Sequence, residues 1–550
     1  MVRESNTVRT LLIGLDAACL PVLDPLFEDG ALPALRSVFE EGTAGPLASQ
    51  VPPWTPSAWP SVYTGVNPGK HGVFGFLRFE GYDWDVVNAS DVKARTLWEY
   101  LDEAGLTSVV VNAPVTHPPP EIDGAVVPGY IAPEAPDCHP AGLMDDLRDE
   151  LGEYRVYAPP DAGETTESRI ETYRELVRMR GEAFRYLADR FAPEFGFVQF
   201  QQTDTVFHEC PGDDEAVRAV YEAVDRELAG ILDACDPDTV VVVSDHGIGE
   251  YRGGEVRVNE QLAAHGFLET RRGGEGMPSW NRIATERLRP GTDGDDGIGD
   301  GTVGSDATTA LLSTLARVGL TSQRLGRVLS RLGLASFVLR HVPSSAVEAA
   351  SEQVDFPASS AYLRSRIELG VRVNLAGREP SGVVPESEYE AVRSALVDCL
   401  RATTTDEGDP VFERVARREA FFEGPYVEDA PDVVAVPADY NYFLTARLRG
   451  DVFDPDPQES WNHKFEGVVA LAGGDVDTAA PLDGASLFDV APTVLSTLGV
   501  PYDERMDGEP LAPVTAVGPR TYPSYDAETH RATADRVVET RLSDLGYLER

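Results

Sequence analysis

One threonine in a proline- and tryptophan-rich stretch has the surroundings expected of a nucleophile. The segment "VPPWTPSAWPSVYTG" spans residues 51–65 and carries Thr55 among four prolines and two tryptophans. Prolines fix the backbone and remove hydrogen-bond donors, so the stretch predicts a rigid turn rather than a regular element. A threonine hydroxyl becomes a useful nucleophile when a metal or a base activates it. Ser57, two residues further on, is the rival nucleophile.

Aspartate and histidine residues follow three predicted strands and supply candidate metal ligands. Apolar runs end at Asp16 in "LLIGLD", at Asp204 in "FGFVQFQQTD" and at Asp245 in "TVVVVSDHG". His208 lies four residues after Asp204, so a helical turn there would place both side chains on one face. His246 directly follows Asp245, and on a loop these two side chains would diverge toward different ions.

A late histidine completes the candidate metal set. His463 in "ESWNHKFEGVVALAGG" precedes another apolar run. Ligands in open α/β sheets lie beyond the carboxyl ends of the strands, which is where the three aspartates are expected. Carboxylates and imidazoles suit zinc or manganese, and two such ions about 4 Å apart would clamp a phosphoryl group. We therefore predict two divalent metal ions, zinc first and manganese as the alternative, near Asp16, Asp204, His208, Asp245, His246 and His463.

The elements that position these residues follow an α/β pattern. Short apolar runs, such as "RTLLIGLD", "SVVVN", "FGFVQFQQTD", "TVVVVSDHG" and "GVVALAGG", alternate with helical patterns. In one of these patterns the apolar residues recur at helical intervals, at Tyr173, Leu176, Val177, Phe184 and Leu187. The alternation predicts a three-layer α/β/α sandwich around a mainly parallel sheet, with an inserted smaller subdomain.

Composition changes divide the chain into four predicted parts. Residues 1–253 are expected to form the first part of the catalytic core. A glycine- and aspartate-rich loop and a helical, arginine-bearing segment indicate an insertion or cap at residues 254–355. The core is expected to resume over residues 356–515 and to be followed by a polar C-terminal tail at residues 516–550.

The charge of the chain excludes one class of partner. There are 92 acidic and 47 basic residues, a net charge of -45, and the lysines are Lys70, Lys93 and Lys464 alone. This acidic, lysine-poor composition resembles that of proteins from salt-loving archaea, so we expect a halophilic protein. Because the sequence offers no basic stripe, a nucleic-acid duplex is not expected as a partner.

The expected location follows from what the sequence lacks. No run of about 18 apolar residues is present, so no membrane span is predicted. The five cysteines are scattered, and the N-terminal apolar segment is too short for a signal peptide. A cytoplasmic protein is therefore expected, and its oligomeric state is left open.

The order of the motifs resembles the alkaline phosphatase superfamily. The motifs are, in chain order, a strand ending at Asp16, Thr55 nine residues before "TG", and then "NPGKHGVFGF", "TDTVFH", "SDHG" and "NH". They are most similar to those of the superfamily's type I phosphodiesterase/nucleotide pyrophosphatase branch and of the prokaryotic phosphohydrolase/phosphomutase relatives. The resemblance covers roughly residues 8–255 and 355–512. It implies a metal-dependent phosphoric ester hydrolase of the phosphodiesterase/pyrophosphatase type that acts through a phospho-threonine at Thr55. It also implies two metal sites, one with Asp16, Thr55, Asp245 and His246 and the other with Asp204, His208 and His463.

Two other functions stay open at this point. A phosphomutase, which is an isomerase, would use the same residues and return the phosphoryl group to its substrate. A non-catalytic protein would instead use the metals for structure. The expected substrate is a small-molecule or a lipid- or sugar-linked phosphoester, and nucleotide esters also stay open.

Two further segments contain residues that could contact a phosphate group or an anionic substrate. "GVNPGKHG" is one residue short of a phosphate-binding loop, and His71 takes the place of the Ser or Thr that such a loop needs, so His71 is expected to be structural. Four arginines of a later segment either contact an anionic substrate or are ordinary surface residues: Arg364, Arg366, Arg372 and Arg378.

Overall fold

The computed structural model describes residues 8–159, 165–272, 352–365, 368–405, 407–455, 457 and 460–525. Most of the predicted insertion and the last part of the predicted tail lie outside the described residues, so the four-part division stays a prediction. Within the described ranges, no helix combines the length and the apolar character needed to cross a membrane. The cytoplasmic location also stays a prediction.

The described strands alternate with helices over most of the chain. The strands are β1 Thr10–Leu15, β2 Thr43–Ala48, β3 Leu77–Glu80, β4 Asp83–Val86, β5 Ser108–Val111, β6 Gly124–Val127, β7 Phe195–Phe200, β8 Thr239–Val243, β9 Gly247–Glu250, β10 Gly254–Arg257, β11 Thr270–Arg272, β12 Glu352–Val354, β13 Ala361–Tyr362, β14 Gly370–Val373, β15 Phe412–Arg417, β16 Val433–Pro437, β17 Tyr442–Thr445, β18 Phe453–Asp454, β19 Trp461–Lys464, β20 Glu466–Gly473, β21 Tyr502–Asp503 and β22 Pro519–Arg520. The helices are α1 Leu20–Glu28, α2 Pro33–Glu41, α3 Thr55–Thr64, α4 Pro68–His71, α5 Leu97–Glu103, α6 Leu143–Leu151, α7 Thr166–Phe191, α8 Gln202–Glu209, α9 Asp214–Cys235, α10 Val258–Ala264, α11 Glu386–Arg401 and α12 Val490–Thr497.

A seven-stranded sheet forms the centre of the molecule. Its strand order is β2-β20-β8-β1-β7-β5-β6, and it contains all five of the apolar runs that the sequence analysis interpreted as strands. The neighbours from β8 to β6 are parallel, whereas β20 runs antiparallel to both β2 and β8. The prediction of a mainly parallel sheet is therefore confirmed.

Helices cover both faces of this sheet because its central strands are apolar on both sides. In β1, Leu11, Ile13 and Leu15 face a core that includes buried residues of α7 and α9, whereas Leu12 faces a second core that includes Trp59 of α3. The 26-residue helix α7 contains the five residues predicted to recur along one face, and all five are buried. The predicted α/β/α layering is confirmed.

A second, smaller sheet has a core of its own. Its strand order is β13-β14-β16-β15, and its apolar core also includes residues of α10 and α11. The run "APDVVAV", residues 430–436, lies in the second part of the predicted catalytic core, and its last four residues belong to β16 of this smaller sheet. A separate pairing, of β9 with β19, places His463 opposite Ile248, two residues after His246.

Candidate metal centre and active site

Thr55 is the first residue of helix α3 and lies at the carboxyl edge of the main sheet. The expected rigid turn is therefore wrong, since the stretch forms a helix of 10 residues with a proline in its first turn. A proline is tolerated there because the first N–H groups of a helix have no partner within the helix. Thr55 itself is only 2% exposed. Its Oγ1 donates a hydrogen bond to Asp16 Oδ1 at 3.4 Å and lies 3.2 Å from His246 Nε2.

The first group of candidate ligands surrounds this hydroxyl. Asp16 follows β1 and Asp245 follows β8, two strands that pair in parallel, so both carboxylates emerge at the same edge. His246 Nε2 lies 3.5 Å from Asp16 Oδ1 and 3.2 Å from Asp245 Oδ2. Asp16, Asp245 and His246 are fully buried. Thus Asp16, Thr55, Asp245 and His246 form one cluster, which we call cluster A.

The second group lies beside the first. Asp204 and His208 occupy the same face of α8, with His208 Nε2 3.3 Å from Asp204 Oδ1. His463 Nε2, delivered by β19, lies 3.4 Å from His208 Nε2 and 3.6 Å from Asp204 Oδ1. Asp204, His208 and His463 form cluster B. The structure therefore brings all seven of the residues proposed from the sequence to one place.

The two clusters are in contact through their imidazoles. The rings of His246 and His463 stack with centroids 3.8 Å apart. Ligand atoms of Asp204, His246 and His463 lie within 4.8 Å of one another, and the same holds for Asp16, Asp245 and His246. His246 is thus within reach of both groups, and the division into two ligand sets that the family resemblance implies stays a proposal.

The spacing of the ligand atoms fits tetrahedral coordination. A zinc ion bound at about 2.0–2.1 Å by four ligands separates neighbouring ligand atoms by about 3.4 Å. In cluster B the three interatomic distances are 3.3, 3.4 and 3.6 Å. In cluster A the four measured distances run from 3.2 to 3.5 Å. Either cluster could therefore take a cation without rearrangement.

The hydrogen bonds of the candidate ligands leave ligand atoms of both clusters available for a cation. Asp204 Oδ1 and Asp245 Oδ2 are buried and accept no hydrogen bond from any described residue. His246 Nδ1 donates to the Gly247 carbonyl at 2.9 Å, and His463 Nδ1 donates to the Pro53 carbonyl at 2.8 Å. A carbonyl can only accept, so each ring carries its proton on Nδ1 and directs a lone pair on Nε2 into the clusters.

The protonation of the site follows from burial and from its crowded carboxylates. Burial raises the pKa of Asp16 and of Asp245 well above the ordinary value, and the repulsion from neighbouring carboxylates raises both further. Burial also raises the pKa of Asp204, but His208 and His463 together lower it by more, and the net pKa lies below the ordinary value. A divalent cation would relieve the repulsion that acts on Asp16 and Asp245.

Burial favours the neutral form of the two stacked imidazoles. Burial lowers the pKa of His246 to about 3. Burial and the neighbouring His246 lower the pKa of His463 well below its ordinary value. Neutral imidazole is the form that binds metals, so both rings are ready to act as ligands at neutral pH.

The rival nucleophile is engaged in a buried hydrogen-bond network. Ser57 donates to the Val73 carbonyl at 2.8 Å and accepts from Gln50 Nε2 at 2.6 Å. Ser61 in turn bonds to Gln50 Oε1 and to His71 Nε2. This network lies beside Thr55 in the same helix, and it agrees with the structural role expected of His71.

The arginines of the later segment fit neither of their two interpretations. Arg364 is paired with Glu368, Arg372 with Glu379, and Arg378 with Asp432, which is fully buried. Arg366 lies outside the described residues. The three described guanidinium groups are thus neither ordinary surface charges nor directed at the clusters, because their partners belong to the smaller sheet and its loops.

Three residues that support cluster A were not identified from the sequence. Trp59 Nε1 and Gln199 Nε2 both donate to Asp16 Oδ2, at 2.9 and 2.7 Å. Asn112 donates to Gln199 Oε1 at 2.7 Å. One signal was present in the sequence, since Gln199 interrupts the otherwise apolar strand β7 that leads to Asp204.

Two features are typical of phosphoryl-transfer enzymes. One is a mainly parallel sheet with helices on both faces, and the other is a buried hydroxyl surrounded by carboxylates and imidazoles. The comparison with protein families agrees, because the model of the type I phosphodiesterase / nucleotide pyrophosphatase family matches residues 10–305. The chain belongs to this family and is a hydrolase of phosphoric ester or pyrophosphate bonds. The similarity to the alkaline phosphatase superfamily is thereby confirmed.

The wild-type alkaline phosphatase PafA shares the fold at low sequence identity, and a second solved structure is also reported. The wild-type alkaline phosphatase PafA is 13% identical, with a TM-score of 0.51 over 94% of this chain and 99% of its own. Phosphonoacetate hydrolase from Sinorhizobium meliloti 1021, in complex with phosphonoformate, is 17% identical, with a TM-score of 0.49 over 88% of this chain and 94% of its own. No curated protein matches the chain in sequence.

Proposed function

We propose that this enzyme cleaves phosphodiester or pyrophosphate bonds through a covalent phospho-threonine at Thr55, with a pair of divalent cations bound by clusters A and B. The observation that carries the proposal is the position of Thr55 Oγ1. It lies 3.2 Å from His246 Nε2 and 3.4 Å from Asp16 Oδ1, at the N-terminus of a helix and at the edge where the ligands converge. A hydroxyl in this position can be deprotonated and directed at phosphorus.

Thr55 and the N-terminal end of α3 have distinct roles in the proposed reaction. Thr55 Oγ1 forms a bond to phosphorus as the bond from phosphorus to the leaving alcohol or phosphate breaks, and the proton of Thr55 passes through solvent to that leaving oxygen. The positive N-terminal end of α3 favours the negative charge that develops beside Thr55. Water then attacks the phosphorus of phospho-Thr55, the bond from Oγ1 to phosphorus breaks, one proton of the water passes to Thr55 Oγ1, and its oxygen stays on the released phosphate group.

The donor set fits zinc, with manganese as the alternative. Asp16, Thr55, Asp245 and His246 would hold one ion, and Asp204, His208 and His463 would hold the other. When bound, the two cations would offset the charge of the transferring phosphoryl group and lower the pKa of the Thr55 hydroxyl and of water. The spacing and the unpartnered carboxylate oxygens support this assignment.

The substrate proposed here is a small-molecule or a lipid- or sugar-linked phosphoester. Thr55 is 2% exposed, whereas the His208 side chain is 27% exposed, so cluster B is the more open side of the site. We propose that a narrow ester enters past His208, whereas the phosphates of an intact duplex are held on a wide, rigid cylinder. The net charge of -45 also disfavours a polyanion.

The test is the turnover of a bis-aryl phosphate by Thr55→Ala, measured with added zinc, manganese or magnesium. We expect turnover to fall to background while the metal content of the purified protein stays near that of the wild type. Ser57→Ala is the matched control, because it removes a hydroxyl two residues away in the same helix and should keep turnover. The assays belong at molar salt, since we propose from the acidic, lysine-poor composition that the enzyme is halophilic. Full turnover by Thr55→Ala would remove Thr55 from the mechanism.

Isotope-labelled water separates hydrolysis from phosphoryl return. Hydrolysis of phospho-Thr55 places solvent oxygen in the product phosphate, whereas a phosphomutase transfers the group without it. A structural role for the metals makes a different prediction, namely that removal of the metals by a chelator unfolds the protein while no phosphoester in a broad panel is ever cleaved.

A further inference from the structure

A fully buried glutamine in the centre of the main sheet needs a structural explanation. Gln199 lies in the interior of β7, between β1 and β5, and is 0% exposed. Burial of an amide side chain is costly unless all of its polar atoms are hydrogen-bonded. The partners of Gln199 satisfy this condition, and one of them is the candidate metal ligand Asp16.

Each polar atom of this amide has a defined partner. Gln199 Nε2 uses both protons, donating to Asp16 Oδ2 at 2.7 Å and to Gln201 Oε1 at 3.1 Å. Gln199 Oε1 accepts from Asn112 Nδ2 at 2.7 Å. Trp59 Nε1 is the second donor to Asp16 Oδ2, at 2.9 Å. Asp16 Oδ2 is thus held by two neutral donors, whereas Asp16 Oδ1 faces Thr55 and His246.

The orientation of the amide is determined by a backbone carbonyl. Asn112 Nδ2 also donates to the carbonyl oxygen of Gln199, at 3.0 Å, and a carbonyl can only accept. Asn112 must therefore present its NH₂ group to β7, and its second proton must go to Gln199 Oε1. The NH₂ group of Gln199 is then the end that faces Asp16. Asn112 has a φ of +64°, a conformation that asparagine tolerates better than most residues.

The neighbouring strand leaves room for this arrangement. Gly14 lies in β1, two residues before Asp16, and a Cβ atom there would lie 2.5 Å from Trp59 Cη2 and 3.1 Å from Gln199 Cγ. Both donors to Asp16 therefore use space that any larger residue at position 14 would take.

We infer that Gln199 is a positioning residue for the metal site, because it holds Asp16 in the orientation that presents Oδ1 to Thr55 and His246, and that Asn112 sets the direction of the Gln199 amide. This inference rests on the proposed metal centre and deepens it. Hydrogen bonds to the outer atoms of metal ligands commonly contribute about 10–100-fold to metal affinity. Loss of the Gln199 amide should therefore weaken one metal site and spare the other.

The test measures metal binding by full-length Gln199→Leu, in competition with a chromophoric chelator. We expect the dissociation constant of one zinc ion to rise by about 10–100-fold, while that of the second ion is unchanged. The visible spectrum of the cobalt-substituted protein should change for the same ion. Asn112→Gly, which suits the positive φ, should weaken the same site. Because both side chains act through one hydrogen-bond chain, the double variant should bind no more weakly than Gln199→Leu alone.

Asn259→Leu is the matched control for a lost buried amide. Asn259 is fully buried in the first turn of α10 and donates to two backbone carbonyls, so its replacement should lower the stability without affecting either metal. Wild-type affinity for both ions and an unchanged cobalt spectrum in Gln199→Leu would overturn the inference. That outcome is distinct from failure of the proposed function, which would show as wild-type protein that binds two metals yet cleaves no phosphoester.

Discussion

Buried carboxylates occur in two regions of this molecule, and the two regions treat them in opposite ways. In the smaller sheet, Asp432 accepts hydrogen bonds from Arg378, Arg418, Tyr389 and the Val373 backbone N–H. In the main sheet, the carboxylates of clusters A and B lie beside imidazoles, and within the described residues no arginine or lysine forms an ion pair with them.

The pKa values of Asp432, Asp16 and Asp245 follow this difference, whereas neighbouring histidines lower the pKa of Asp204. Burial raises the pKa of Asp432, but the hydrogen bonds and charges of Arg378 and Arg372 lower it by more, to about 2. Burial raises the pKa of Asp16 and Asp245, and neighbouring carboxylates raise it further. Asp432 has arginine partners, whereas Asp16, Asp204 and Asp245 have none among the described residues. The arrangement of these three carboxylates is therefore suited to a cation that is not part of the chain. The comparison thus separates a structural acid, Asp432, from the acids that we propose as metal ligands.

The largest effect is expected from removing a charge in the main sheet. Asp245→Asn should lower turnover of a bis-aryl phosphate by more than about 10²-fold, because one ligand and its negative charge are lost. The same variant, freed of metal, should be at least as stable as the wild type, since a repelled buried charge has been removed. Phosphoester assays and thermal unfolding of the chelator-treated protein measure the two effects. A metal-free variant that is clearly less stable than the wild type would contradict the comparison.

A smaller effect, on stability alone, is expected from the corresponding change in the smaller sheet. Asp432→Asn leaves Arg378 and Arg418 without their buried partner, and such losses cost about 3–5 kcal/mol. Chemical denaturation should show this decrease in the free energy of unfolding, while metal stoichiometry stays that of the wild type. The exposed Asp149, changed to Asn, is the matched control and should have little effect on either quantity. Loss of a metal ion in Asp432→Asn would show that the two regions are not independent.

The smallest effect is a difference in pH dependence. The pKa of Asp16 and of Asp245 is higher in the folded protein than in the unfolded protein. Each group therefore contributes stability that is present below its unfolded pKa of about 3.9 and is lost as the pH rises through its folded pKa. The metal-free protein should therefore lose up to about 1.4 kcal/mol per pH unit for each such group as it titrates. Asp432 has the opposite sign, since its contribution is present above pH about 4 and is lost as the pH falls toward 2.

Urea denaturation of the chelator-treated protein, from about pH 5 to about pH 8, measures this slope. Bound metal should remove the decrease, because the cation stabilises the ionised carboxylates. Asp245→Asn should reduce the decrease in the metal-free protein. A metal-free wild type whose stability rises steadily over this range would contradict the assignment.

Much of the main sheet and of the candidate site could be predicted from the sequence. Strands with apolar residues on both faces stand out from the helical patterns, and the aspartates that follow them must emerge at one edge if the strands are parallel. This reasoning predicts that Asp16, Asp204 and Asp245 lie close together. Strand ends alone do not predict the position of His463 beside them, since that position depends on the pairing of β19 with β9.

The remainder depends on information that local patterns do not contain. The helical start at Thr55 was missed because prolines favour turns in general, whereas the first turn of a helix tolerates them. The role of Gln199 depends on the register between β7 and β1, which places Gln199 beside Gly14. The role of Arg378 could not be assigned from the sequence, because its acidic partner Asp432 lies 54 positions away.

The antiparallel strand β20 has a consequence for the synthesis of this enzyme. It lies between β2 and β8 in the finished sheet, and the residue three positions before it is the last ligand of cluster B. A nascent chain that has emerged only as far as the smaller sheet has a gap in its main sheet and an incomplete cluster B. All three members of cluster B can therefore come together only after β19 has been synthesised, and the cation proposed for this cluster would bind after that point.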